Sequence, residues 1–436
     1  MAEETLPQQP AAGLTIDTLV VEVVEGPDVG AAKRASGDRV SIGSADGNDL
    51  VLRDLTVSRY HLDIVRDARG FLLIDHASTN GTRVGPVRVE RAIVPPGTRI
   101  QTGSTVLRVD DGGPRPVEVY PGDALGAMRG RSPALRRLMA QAGRLAVSSA
   151  SVLVVGESGT GKELLARALH EEGSRAAAPF EIVDCGALVP ALVASELFGH
   201  ERGAFTGADR QHAGAFERAR DGTVFLDEVG ELPPAVQSAL LGALERRRFR
   251  RVGGKIDLPL EARVVSATHR DLRAEVNEGR FRLDLYYRLA VVTLRTPSLR
   301  ERPEDVPLLI EHFVREAGHT GPVAELISPA AMASLAQHAW PGNVRELRNV
   351  IEATLALGEV PALEEARGAG ALDVIAAACG QPYKRGRDAV LRAFEARYLE
   401  DLIARSEGNV SRAAREGQMD RSHLIELLRR HGIKGG

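Results

Sequence analysis

Gly156-Glu157-Ser158-Gly159-Thr160-Gly161-Lys162 follows the apolar run Ser151-Val152-Leu153-Val154-Val155 and precedes the helix-prone ELLARALH. A glycine-rich turn placed between strand and helix wraps successive backbone N–H groups around phosphate oxygens, and the helix N-terminus adds positive potential. Lys162 supplies a point charge for the outer phosphates. The usual metal-binding Ser/Thr after the lysine is replaced by Glu163. Further on, Thr223-Val224-Phe225-Leu226 ends in Asp227 and Glu228. Asp227 suits Mg²⁺ binding through its water shell, and Glu228 suits polarising an attacking water. Either motif alone has a bland reading, a structural turn or an acidic strand end; together they point to a nucleotide site.

A third stretch is chemically odd in another way. Gly203-Ala204-Phe205-Thr206-Gly207-Ala208 offers one aromatic ring and little else to pack. A minimal strand–helix–strand crossover takes about 30 residues, whereas Lys162 and Asp227 lie 65 apart, so extra structure carrying Phe205 is inserted between the two halves of the site. A nucleotide-dependent rearrangement could therefore raise or lower that loop.

The elements that must hold these residues fall into three zones, as 436 residues suggest at about 150 per domain. Residues 14–110 alternate short β-rich runs with turn signals and read as an all-β sandwich. Residues 111–126, rich in Gly and Pro, read as a linker. Over 127–296 apolar strands alternate with helical patterns, as in a parallel α/β domain, and 297–357 are mostly helical. A small-residue linker at 358–383 precedes a helical zone, 384–436. A net charge of −3 excludes a chain that coats nucleic acid throughout, so any basic surface is local. Two distant cysteines exclude a disulfide framework and fit a reducing cytoplasm. The N-terminal residues lack an apolar signal core and no run of about 18 apolar residues occurs, so neither secretion nor a membrane span is expected.

GESGTGKE, ELFGHERGAFTGA, GTVFLDEVGELP, FRLDLYYRL, LRERPEDVPLL and WPGNVREL occur in this order across 127–356. In this the chain resembles the AAA+ domain of bacterial enhancer-binding proteins, the ATPases that activate sigma-54 RNA polymerase. The resemblance implies ATP bound by Gly156 to Glu163, Mg²⁺ at Asp227, catalysis by Glu228, and a ring of subunits whose GAFTGA loops contact sigma-54. It assigns Arg282 and Arg288 as arginine fingers acting on a neighbour's ATP, Thr268 as the first sensor and Arg345 as the second. On one uninterrupted helix Arg282 and Arg288 would point about 120° apart, so both reach one phosphate only if the segment bends or lies between elements. Asn343, just before Arg345, could cap a helix. The chain departs from the family at His269, beside Thr268, and at Asp184, where asparagines are commoner. If Asp184 faced Glu228, the two carboxylates would repel and one would bind a proton more readily.

The last zone, 384–436, has twelve Lys/Arg against eight Asp/Glu, a local +4. That is the electrostatic footprint expected for a phosphate backbone. Residues 409–417 and 419–424 read as capped helix, turn, capped helix, with Leu424, Leu427 and Leu428 inward. This resembles the Fis-type helix-turn-helix and offers Arg421, Ser422 and His423 to DNA; a helical dimerisation tail is the alternative.

Ile42-Gly43-Ser44, Val57-Ser58-Arg59-Tyr60-His61 and Ser78-Thr79-Asn80-Gly81-Thr82 resemble the forkhead-associated (FHA) domain, a phosphothreonine-binding sandwich. The resemblance assigns Ser58, Arg59, Thr79 and Asn80 to the phosphopeptide and His61 to bracing the loop. Ser44 stands where the family usually has arginine, so a sandwich kept for protein contacts is the alternative.

The fold expected is an N-terminal all-β FHA sandwich, a central AAA+ P-loop ATPase with a helical lid, and a C-terminal all-α helix-turn-helix. The expected partners are sigma-54 RNA polymerase, enhancer DNA, a phosphothreonine protein or a Ser/Thr kinase, and further copies of the chain. The competing reading is a DNA-binding repressor or recruiter that uses ATP only to control oligomerisation.

Overall fold

The structure, a computed structural model, describes residues 13–361 apart from 36, 68, 188 and 189, together with residue 363 and most of 387–430. They belong to two compact units, one up to Pro361 and one from Ala362. Among the described residues no helix is long and apolar enough to cross a membrane.

Strands between Gly13 and Glu118 form a six-stranded and a five-stranded sheet. Alternate residues of Gly13–Glu25, namely Leu19, Val21 and Val23, point inward and are fully buried against Ile42, Leu62, Ile64, Phe71 and Leu107. This is the period-two pattern of a sheet with one face in a core.

Residues 111–118, read from sequence as the start of a linker, instead extend the strand Thr105–Glu118, which pairs with Gly13–Glu25 from Leu14↔Val117 to Val23↔Leu107. Pro114 and Pro116 are tolerated because, two apart, both fall where a strand N–H would face the open edge; the other neighbour, Arg99–Thr102, pairs only with 105–108. A register shift at Thr18/Leu19 absorbs Gly112.

The α/β domain is built on five parallel strands, in the spatial order Phe180–Asp184, Thr223–Asp227, Arg263–Thr268, Val152–Val155, Val292–Arg295. The strand that enters the phosphate loop and the one that ends in the carboxylates flank the strand ending at Thr268. All three therefore deliver their C-terminal residues to one edge, where open α/β sheets bind ligands. The helix Lys162–Glu171 packs Leu165, Ala166 and Leu169 into a core shared with Val152, Val154 and Phe225. A lid follows, with helices Val306–Glu316, Pro329–Gln337 and Asn343–Leu357.

In the second unit, helices Val410–Glu416 and Arg421–Arg430 bury Ala413, Leu424, Leu427 and Leu428 against Leu399 and Leu402. Residues 364–386, most of the expected second linker and the start of the C-terminal zone, lie outside the described residues, as do 431–436.

Candidate nucleotide site and its associated loops

The phosphate loop has its geometry imposed from several sides. Gly159 has φ +76°, and a Cβ there would lie 2.3 Å from the Gly342 carbonyl. A Cβ on Gly156 would lie 2.0 Å from Thr296 Oγ1. The lid closes on the loop directly: Val344 N–H donates to Gly159 O at 3.0 Å, and Arg345 donates to Ser158 Oγ at 2.9 Å. Asn343 is not the cap expected from sequence. It adopts φ +54°, Gly342 takes the cap position, and its amide donates to Glu157 Oε2 and Ser158 O. Thr160 Oγ1 lies 2.8 Å from Thr296 Oγ1. Glu163 is exposed and pairs with Arg167 one turn on, at 3.0 Å.

Lys162 is buried and hydrogen-bonds the carbonyls of Gly156 and Glu157, with Nζ 3.4 Å from Glu228 Oε1. Burial pushes the Asp227 carboxyl up, and the negative charge of Glu228 pushes it further, only partly offset by Lys162. Burial also pushes Glu228 up, but the His269 N–H, Lys162 and the His269 ring together bring it below its ordinary value. Glu228 is held with φ +52°, a left-handed conformation that a non-glycine residue adopts at a cost, and such strain gathers at functional sites.

The grip on Glu228 is the main feature that sequence reasoning missed. Its Oε2 accepts from His269 N–H at 3.1 Å, lies 2.7 Å from His269 Nδ1, and accepts from Thr268 Oγ1 at 3.4 Å. The expected sensor Thr268 is thus the most distant of the three contacts. A polar pair at the end of an apolar strand was the only signal available. Asp184, in turn, spends its carboxylate on its own turn, accepting from Gly186 and Ala187 N–H at 2.9 and 3.0 Å. A short acidic side chain two or three residues before free N–H groups caps them in this way. Asp184 still adds negative charge near Asp227 and Cys185, whose thiol burial and these carboxylates push up to about 12.

Arg282 and Arg288 do not share one helix face. Arg282 is the extended residue preceding helix Leu283–Leu289, whereas Arg288 lies in its last turn. Both are about half exposed; Arg282 pairs with Asp284 and reaches Ser238 Oγ, and Arg288 lies 3.8 Å from Glu245.

The hexapeptide is built differently. Gly203 and Gly207 have φ of +80° and +97°, and a Cβ on either would meet nothing within 4 Å. Its base is tied down: Ala208 O accepts from Gly203 N–H, Ala208 is buried, and Arg251 reaches Glu201 and Glu217. Phe205 is less bare than its sequence suggests, since its ring stands edge-on to His200 at 4.9 Å and is 37% exposed.

With this geometry in view, comparison with known proteins is decisive. The family described as the Sigma-54 interaction domain matches residues 128–295, and an AAA+ ATPase lid domain matches 300–367. The transcriptional regulatory protein GlrR of Escherichia coli K12 is 44% identical over 304 residues, covering 70% of this chain and 67% of that protein. This chain belongs to the sigma-54-dependent transcriptional regulators. ZraR of the same organism is 43% identical over 307 residues, 70% of this chain and 68% of its own length. A crystal structure of NtrX from Brucella abortus is similar with TM-score 0.51 and 34% identity, covering 70% of this chain and 69% of that one. Over residues 22–113 the matching family is described as the cytoplasmic domain of an inner membrane component of type III secretion.

In this regulator, one end of the sandwich brings Ser58, Thr79 and Asn80 together. Thr79 N–H donates to Ser58 Oγ at 3.0 Å, the two hydroxyls are 3.5 Å apart, and Asn80 donates to Thr56 O. Arg59 is exposed nearby. His61 is fully buried and its Nδ1 accepts from Ser58 N–H, a brace as expected. In the C-terminal unit Asn409 caps its helix by accepting from Arg412 N–H. Arg421 and His423 are exposed on the next helix; Ser422 lies in that helix, its side chain outside the described residues.

Proposed function

We propose that this regulator hydrolyses ATP between adjacent subunits, uses the cycle to move the Phe205 loop against sigma-54, and so opens promoters to which its C-terminal helices anchor it. The observation that carries the reading is the cluster of Lys162, Asp227, Glu228, Thr268 and His269 at one sheet edge, closed over by Asn343 and Arg345. Backbone N–H groups of 156–162 and Lys162 would hold the phosphates. The paired carboxylates at a partly desolvated strand end suit a cation: Asp227 would hold Mg²⁺, which would neutralise phosphate charge. Glu228, kept ionised by His269 and Lys162, would orient and deprotonate the attacking water.

Arg282, just before helix Leu283–Leu289, and Arg288, in its last turn, both half exposed, would serve a neighbour's ATP, which would make turnover depend on assembly. That crystal structures of NtrX with ADP and with ATP are among the similar folds supports nucleotide binding here. Asp420 and Arg421 begin a helix whose exposed Arg421 and His423 would read DNA, in the manner of a helix-turn-helix. Ser58, Arg59, Thr79 and Asn80 would bind a phosphothreonine, making the sandwich the regulatory input.

The test is transcription from a sigma-54 promoter with purified polymerase. Open complexes should require ATP hydrolysis, and the specific turnover rate should rise with protein concentration as rings form. ATP-dependent DNA binding without open complexes would instead establish a repressor or recruiter.

A further inference from the structure

The sandwich does not hang free of the ATPase. Tyr60 is fully buried in the ATPase core cluster, edge-on to Tyr286 at 5.2 Å. Asp63, buried, pairs with Arg39 of its own sheet and with Arg273 of the ATPase, the latter at 2.7 Å. His76 lies between Asp63 at 2.7 Å and Asp271 at 2.5 Å. Burial alone would lower its pKa, but the two carboxylates raise it to about 9, so the imidazole is a cation at neutral pH.

Tyr286 lies on helix Leu283–Leu289, whereas Arg273 lies on the short helix before it, Leu272–Asn277, capped by Asp271. Its C-terminal residue makes the most informative contact. Asn277 Nδ2 donates to the carbonyl of Tyr60 at 2.5 Å and to that of His76 at 2.8 Å. Tyr60 lies two residues after Ser58, and His76 three before Thr79. One amide of the ATPase therefore pins the roots of both loops whose Ser58 and Thr79 meet at the tip. Between root and tip the links are short and rigid: His76 N–H donates to His61 O, and His61 Nδ1 accepts from Ser58 N–H. At its other end the helix follows His269 and Thr268, which hold Glu228.

We propose that Asn277 is a positioning residue of the phosphopeptide site, so that the sandwich binds phosphothreonine well only while docked on its own ATPase, and peptide binding in turn tightens that docking. This rests on the reading of Ser58, Arg59, Thr79 and Asn80 as a phosphothreonine site. The device is a linkage: whatever free energy docking adds to peptide binding, peptide adds to docking. It also gives the sandwich a use for its Tyr60 and His76 segments beyond bracing, since the same residues carry signal to the helix adjoining the Glu228 clamp.

The experiment uses the full chain and a phosphothreonine peptide pool with randomised flanks, read by fluorescence anisotropy against the unphosphorylated pool. Asn277→Asp is isosteric but turns an amide donor into a carboxylate facing two carbonyls. Peptide affinity should fall about tenfold, with ATP affinity within twofold of wild type as the check on folding. Hydrogen exchange of residues 272–277 should slow when the pool is added to wild type, and not in the variant, a response that a merely structural asparagine would not give. Wild-type affinity in Asn277→Asp, or exchange of 272–277 indifferent to peptide, overturns the proposal while leaving the phosphothreonine reading intact. A wild type that does not distinguish the two pools removes that reading, and the proposal with it.

Discussion

Two glycine-rich turns in this chain, 156–162 and 203–208, look alike in composition and are built for opposite purposes. In the first, a Cβ on Gly156 or Gly159 would strike Thr296 or the Gly342 carbonyl. In the second, a Cβ on Gly203 or Gly207 would strike nothing. Glycine in the phosphate loop is there for close approach as well as for backbone conformation; in the hexapeptide it serves conformation alone. The first turn is gripped by the lid through Asn343, Val344 and Arg345. The second is held mainly near its base, through Ala208 and Arg251, with the Phe205 ring edge-on against His200. On the proposed function, the cradle must stay still while charge develops within it, and the contact tip must move as a unit and find its partner outside the fold.

If that contrast is right, substitutions should damage ATP turnover steeply in the cradle and hardly at all at the tip. The largest effect is expected from Glu228→Gln, which removes the group that activates water while keeping its shape. Turnover should drop about a thousandfold with ATP binding retained, measured by phosphate release alongside nucleotide titration. Unchanged turnover would remove Glu228 from the reaction. Next comes Gly159→Ala, where overpacking and a left-handed alanine together should weaken ATP roughly fiftyfold. Wild-type affinity would mean that the lid does not seat on the loop as described.

His269→Ala should cost less, about tenfold in turnover, the worth of one charge-assisted hydrogen bond. Substituting His269 by Asn keeps a polar side chain beside the retained backbone N–H bond to Glu228 and should recover much of that loss. If the alanine variant turned over at the wild-type rate, Thr268 and the backbone N–H alone would suffice to hold the carboxylate.

How much of this was legible beforehand depended on where the information lies. Phosphate loop, carboxylate pair and hexapeptide are written in consecutive residues, and their backbone geometry follows from local glycines and strand ends. The parallel sheet and the β-rich N-terminus follow from periodicity in the same way. Contacts between distant segments left weaker traces. His269 gives no sign that it faces Glu228 across 41 positions, and Asn343 looked like a cap because its type favours caps, while the lid needed its amide pointing at Glu157 and Ser158. Asp184 looked only like a partner for Glu228, whereas its carboxylate also caps its own turn, a local bond that its type and spacing allow. Residues 111–118 looked like a linker because Gly and Pro usually break strands, and only the pairing with residues 13–19 shows that the prolines face an open edge. Asn277 was invisible for the same reason as His269: its partners, Tyr60 and His76, are more than 200 positions away.

The smallest effect on turnover, and the sharpest test of the contrast, belongs to the tip. Thr206 is exposed in the hexapeptide and Gly207 has open space around it. Thr206→Ala removes one hydroxyl without disturbing the base, so turnover should stay within about twofold while open-complex formation is lost. Gly207→Ala puts a side chain at φ +97°, which costs about 1–2 kcal/mol locally. Because the turn is held mainly near its base, that cost should be relieved by a change of loop shape rather than transmitted to Lys162 or Glu228. It too should hydrolyse ATP and fail in transcription. Turnover and open complexes, measured on the same preparations, therefore separate tip from cradle. If either variant opened promoters normally, Phe205 and its neighbours would not be the contact, and the resemblance between the two glycine-rich turns would have no functional meaning. If either instead lost turnover as badly as Gly159→Ala, the tip would be mechanically continuous with the cradle even in the resting subunit, and the base contacts of Ala208 and Arg251 would be the place to look for the connection.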